Sequence, residues 1–119
     1  MIKLRNSRPY FFENSNIPIF LSFFSPISIS AITLGPLVFS STTMSSETKN
    51  HESIHWQQYI ETGILGFFFL YFIYWIIGFI KHRNGKASYY AIPFEKEAYN
   101  NQYNLEYLDS RKRYCWIKL

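Results

Sequence analysis

The sequence holds a single cysteine, Cys115, so no internal disulfide can form and no cluster of thiolates can bind a metal. Charge is scarce as well: Asp, Glu, Lys and Arg make up 17% of the 119 residues, while Phe, Trp and Tyr make up 21%. That balance excludes a disordered polar tail. No proline occurs between Pro36 and Pro93, so no residue of that type ends a helix there. No helix-turn-helix, finger or RNA-binding pattern is present, which argues against nucleic acid as a partner. The length is too small for a two-domain enzyme and sets the expectation of one domain over residues 1–119.

The missing charges are missing in blocks. Asn14–Ser46 contains none, and neither does Thr62–Ile80. Two such blocks in a short chain imply a membrane or a large partner surface. The net charge of +4 arises late: residues 1–80 have four Lys/Arg and four Asp/Glu, residues 81–119 eight and four. Lys81, Arg83 and Lys86, then Arg111, Lys112 and Arg113, suit an anionic membrane surface. Lys3, Arg5 and Arg8 followed by Ile17–Phe24 have the outline of a signal peptide, with Ser28 and Ser30 as small cleavage-site residues. Pro18 and Pro26 interrupt the run and Glu13 precedes it, so an uncleaved segment is expected.

Residues 1–16 read as a polar lead-in and residues 17–40 as a strand pair. Ile27, Ile29 and Ala31 alternate with Ser28 and Ser30, and Leu34-Gly35-Pro36 is a turn signal. A single membrane helix is the rival reading of 17–40, ranked lower because of its three prolines. A helix is expected to start at Ser45 or Ser46 as N-cap, with Glu47 in its positive first turn. It is expected to carry residues 46–82 as one metal-bearing helix running into the apolar block. Thr62–Ile80 would span about 28 Å as a helix, close to the hydrocarbon thickness. Tyr89 to Pro93 should be extended, because the residue before proline avoids the helical region. A last helix is expected over 94–113. The fold class is thus α+β, mostly helical, with an N-terminal β-hairpin.

His51-Glu52-Ser53-Ile54-His55 fits H-E-x-x-H. Positions i and i+4 share a helix face, so two imidazoles can reach one Zn²⁺, while Glu52 points to a neighbouring face and can take a proton from a metal-activated water. Roughly 0.004 such matches are expected by chance at this composition. A hydrolytic zinc site needs a third protein ligand. His82 lies between Lys81 and Arg83 and is expected to be solvated, which leaves the carboxylates of Glu95 and Glu97. His51, His55, Gln58, Thr62 and Gly66 would share one face of a continuous helix.

His51-Glu52-x-x-His55 followed by Glu95-x-x-Ala98 resembles the gluzincin zinc metallopeptidases, most closely the membrane-bound CAAX-prenyl-protease and heat-shock-protease type. The resemblance implies zinc held by His51, His55 and Glu95, with Glu52 as the catalytic base of peptide hydrolysis and Glu97 as a fallback ligand. Tyr99 stands where the larger proteases have the Asp that braces the site, so His55 calls for another partner. In those proteases an edge of the strand pair binds substrate as an added strand. The run from Ala31 to Pro36, through His55–Gln58, to Pro93–Tyr99 also looks like a group of small bacterial proteins, which implies a bacterial membrane as the location.

One conflict follows. If Thr62–Ile80 crosses a bilayer, His55 and Glu95 end on opposite sides. Residues 81–94 could return about 46 Å when extended, but an unpaired extended chain does not cross lipid. Either the chain bends at Gly63 or Gly66 and the apolar helix lies in the interface, or partner protein covers the helix, or no such metal site exists. The first two together are expected. The expected partners are then membrane lipid and a peptide or protein substrate. The alternatives are a non-catalytic membrane or assembly subunit of a larger complex, an oligomer, or a single-span protein whose basic residues 81–119 face the cytoplasm.

Overall fold

The computed structural model describes residues 7–24 and 29–119. Among them the chain is α+β and mostly helical, with three strands and six α-helices in the order β1 (Tyr10–Phe12), α1 (Ile17–Ser22), β2 (Ala31–Leu34), β3 (Leu37–Ser40), α2 (Ser46–Thr62), α3 (Ile64–His82), α4 (Gly85–Ala91), α5 (Pro93–Asn101) and α6 (Tyr107–Ser110). A 3-10 turn follows at Cys115–Lys118.

The hairpin sits in the second half of the expected strand region. Gly35 adopts φ +62°, which a glycine tolerates, and Pro36 completes the turn, so Leu34 pairs with Leu37 in an antiparallel β2–β3 ladder. Residues 17–22 are instead helical. Pro18 occupies the first turn, where its missing N–H costs nothing, and the Ser22 hydroxyl donates to the Pro18 carbonyl (2.9 Å). Ile27 and Ser28, part of the alternation, lie outside the described residues, as do Lys3, Arg5 and Pro26. The lead-in is also corrected: Tyr10–Phe12 runs parallel to β3, with Tyr10 against Leu37. The sheet order is β1-β3-β2, which leaves one edge of β2 unpaired among the described residues.

Ser45 caps α2 by accepting the Thr48 N–H (3.1 Å), with Glu47 in the first turn. The helix does not continue to residue 82. Gly63, at φ +75° and ψ 156°, separates α2 from α3 and turns the chain back. Tyr59 and Phe67, four residues on either side of Gly63, stack with ring centroids 3.9 Å apart. Thr62 and Gly66 therefore belong to different helices, and the single polar face expected through Gly66 stops at the break.

Arg83, in the left-handed region, ends α3, and Asn84 caps α4 by accepting the Ala87 N–H (2.9 Å). Helix α4 packs on α3 at Gly78, where an added Cβ would lie 3.2 Å from the Ser88 Cα. Tyr89–Ala91 is helical rather than extended; the pre-proline restriction acts on Ile92 alone (φ −63°, ψ 127°). The last expected helix is shorter than 94–113. It ends at Asn101 because Asn50 gathers the carbonyls of Asn101, Gln102 and Asn104 at 3.2, 2.9 and 2.9 Å, which bends the chain away. Arg111 leaves α6 in an extended conformation and is buried, so it does not belong to the surface basic cluster. Lys112 and Arg113 are exposed.

The core lies between α2 and α5. One cluster joins Tyr59, Phe67, Ile92, Phe94 and Trp116, another Ile54, Ala98 and Leu108. Polar residues of α2, including His51, Glu52, His55 and Gln58, are buried beside them. Helix α3 is the reverse: 19 residues, long and apolar enough to cross a membrane by length and composition, yet only 11% of its apolar window is buried. Leu65, Phe69, Phe72 and Ile80 are exposed on it.

Candidate metal centre

Helix α2 places His51 and His55 one turn apart on its buried side, with ring centroids 4.9 Å apart. Helix α5 opens at Pro93, so Glu95 falls in its first turn and points at them. Its Oε1 lies 3.3 Å from His51 Nε2 and 3.1 Å from His55 Nε2. Two ligands at ~2.1 Å from one tetrahedral Zn²⁺ lie roughly 3.4 Å apart, so these separations fit a common ion. Two imidazole nitrogens and one carboxylate oxygen are also the donor types such an ion takes. One potential ligand atom each from His51, Glu52 and His55 lies within 4.8 Å of the others.

The other ring nitrogens are fixed. His51 Nδ1 meets Gln102 Oε1 at 2.7 Å, and His55 Nδ1 meets Gln58 Oε1 at 2.8 Å. The amide orientation of Gln58 follows from its Nε2, which donates to two groups that can only accept: the Phe94 carbonyl (3.0 Å) and Glu97 Oε1 (2.8 Å). His55 Nδ1 therefore donates, His51 Nδ1 faces the Gln102 amide oxygen, and both Nε2 atoms face Glu95. Burial alone would lower the His55 pKa, but the Glu95 carboxylate overrides it and holds it up at about 9. Burial would raise the Glu95 carboxyl; the two imidazoles override that and hold it well below the usual carboxylate range. The cluster thus favours positive charge at the imidazole face of Glu95.

Glu52 turns toward the sheet. Its Oε1 accepts the Thr33 hydroxyl of β2 (3.2 Å), and its Oε2 lies 3.6 Å from His51 Nε2. Glu95 Oε2 accepts the Tyr71 hydroxyl of α3 (2.8 Å). An open cleft of about 880 Å³ passes this cluster, with Ala31–Thr33 of the β2 edge on one side and Tyr71, Trp75, Tyr89 and Tyr99 on another.

All four residues of the expected site are therefore brought together: His51, Glu52, His55 and Glu95. Glu97 is not with them. Its carboxylate accepts from Gln58, Tyr107, Cys115 and Arg111, and Arg111 overrides the effect of burial to hold it below its ordinary pKa. Tyr99 does not replace an Asp as acceptor; its ring packs edge-on against His51 at 4.5 Å and its hydroxyl meets that of Tyr89 at 3.0 Å. His82 is exposed, as expected. The break at Gly63 bears on the crossing conflict. The chain runs to the end of α3, returns through α4 packed on it, and brings Glu95 to Tyr71, seven residues or about 10 Å from the start of α3, so His55 and Glu95 lie together beside the first half of that helix. Gln102, Tyr71 and Thr33 are the participants that spacing did not reveal; Gln58 was on the expected face but without a role.

No family model, curated protein or solved structure matches the chain, so the site is read from its own geometry.

Proposed function

We propose that this chain is a small membrane-associated zinc metallopeptidase, with Zn²⁺ held by His51, His55 and Glu95. The observation that carries the reading is the convergence of His51 Nε2 and His55 Nε2 on Glu95 Oε1 while both Nδ1 atoms are engaged by glutamine side chains. Bound zinc would polarise the scissile carbonyl and acidify the attacking water. Glu52 would take the proton of that water and pass it to the departing amine. Thr33 holds Glu52 at the cleft and hydrogen-bonds only one of its oxygens. The edge of β2 that no described strand pairs runs along the same cleft, so an extended peptide could add to it as a strand, with its scissile bond between Glu52 and the proposed metal ligands. The exposed apolar face of α3, with Lys81 in its last turn and Arg83 and Lys86 just after it, supports attachment to an anionic bilayer.

Purified protein is expected to hold close to one zinc per chain. Glu52→Gln should retain the metal and lose hydrolysis by about 10²–10⁴-fold. Wild type that binds no zinc would overturn the reading. A second reading is favoured by one observation, the large apolar surface of α3: a non-catalytic membrane or assembly subunit in which the metal is structural. It predicts zinc without hydrolysis of any peptide, together with stable co-purifying membrane proteins.

A further inference from the structure

We propose that Glu97 is a positioning residue for the metal site, acting through Gln58 to fix which ring nitrogen of His55 faces the ion. This rests on the metallopeptidase reading above and adds to it a residue that is not a ligand. Glu95 and Glu97 are two positions apart on α5, so they leave the helix in different directions. Glu95 faces the histidines, while Glu97 faces a buried polar cluster made by residues 107–115.

The cluster is directional throughout. Arg111 donates from Nη1 and Nη2 to Glu61 at 2.7 and 2.9 Å, and from Nε and Nη2 to Glu97 at 2.5 and 3.1 Å. Tyr107 and Cys115 donate to the same Glu97 oxygen at 2.7 and 2.9 Å. A carboxylate that receives these donors has only acceptor capacity left for Gln58. The Gln58 amide must therefore present its NH₂ to Glu97, and its oxygen to His55 Nδ1. That oxygen requires a proton on Nδ1. The Nε2 lone pair is then available for the ion whenever Nε2 carries no proton. A hydroxyl or water in place of Gln58 could donate or accept and would leave the ring undecided. His51 has a simpler arrangement, with Gln102 alone.

The test uses the full chain with Zn²⁺, and with Co²⁺ as a visible probe, in competition with a chromophoric chelator. Gln58→Leu removes the acceptor and is expected to weaken metal binding by about 10–100-fold and to alter the Co²⁺ d–d spectrum. Gln58→Glu combined with Glu97→Gln exchanges the two groups, so that position 58 still accepts from Nδ1 and position 97 supplies the NH₂ between them; it is expected to recover affinity to within a few-fold of wild type, which a role in packing alone would not produce. Should Gln58→Leu fail to fold, Glu97→Gln carries the test, because Arg111 keeps both bonds to Glu61; it is expected to weaken binding by several-fold. Folded Gln58→Leu or Glu97→Gln with wild-type affinity and spectrum overturns the relay and leaves the metal site standing. The exchanged pair as weak as Gln58→Leu also overturns it. Wild type that binds neither metal overturns both.

Discussion

Cys115 gives its thiol hydrogen to Glu97, and burial together with that carboxylate raises its pKa. The thiolate is the reactive form, so the native thiol is expected to be slow. At pH 7.5 a disulfide reagent should label the folded protein at least ~10-fold more slowly than the unfolded chain. Glu97→Gln should narrow that gap; equal rates for native and unfolded protein would contradict it. At this scale the sequence was informative wherever chemistry depends on local spacing. His51, Glu52 and His55 share a turn of helix, and the register of Glu95 followed from a motif. Gln102, Tyr71 and Thr33 were illegible, because their contacts join residues 51, 24 and 19 positions apart. Arg111 was misread for the same reason: a terminal run of basic residues looks solvated until Glu61 and Glu97 are found beside it.

Among elements, the α2–α3 break matters most. Gly63 sits at φ +75° and ψ 156°, a region reserved almost wholly for glycine, and a Cβ there would meet nothing within 4 Å. Gly63→Ala is therefore expected to cost about 1–3 kcal/mol through backbone strain alone. Gly66 lies inside α3 with its nearest Cβ contact at 3.6 Å, so Gly66→Ala should be neutral or stabilise by up to ~1 kcal/mol. Thermal unfolding of the two variants checks the contrast; similar losses would show that space rather than conformation governs both. The sequence offered Gly63 and Gly66 equally, since either glycine can bend a chain. Only the packing of Phe67 on Tyr59 selects the first. The Ser45 cap and the Gly35-Pro36 turn were legible because each is settled within four residues. Strand β1 was not, for three residues carry no period, and its partner lies 27 positions away.

Over the whole molecule, burial is inverted: the polar helix α2 is inside and the apolar helix α3 is outside. Protein at low salt is expected to co-sediment with vesicles containing anionic phospholipid. Phe69→Glu combined with Phe72→Glu should weaken that association by more than ~10-fold, since charged side chains are costly in hydrocarbon. Wild type that stays in the supernatant would count against a lipid partner. The two uncharged blocks announced an apolar surface, but not which block would lie beside the site. A different consequence follows from the bonds that Arg111 and Trp116 make to Glu61 near the end of α2 (2.7–2.9 Å). During synthesis these residues follow His51, Glu52, His55 and Glu95. A nascent chain that has just completed α5 already carries His51, His55 and Glu95 but not the fastening behind α2, so the cluster gains that support only when residues 111–116 have been added.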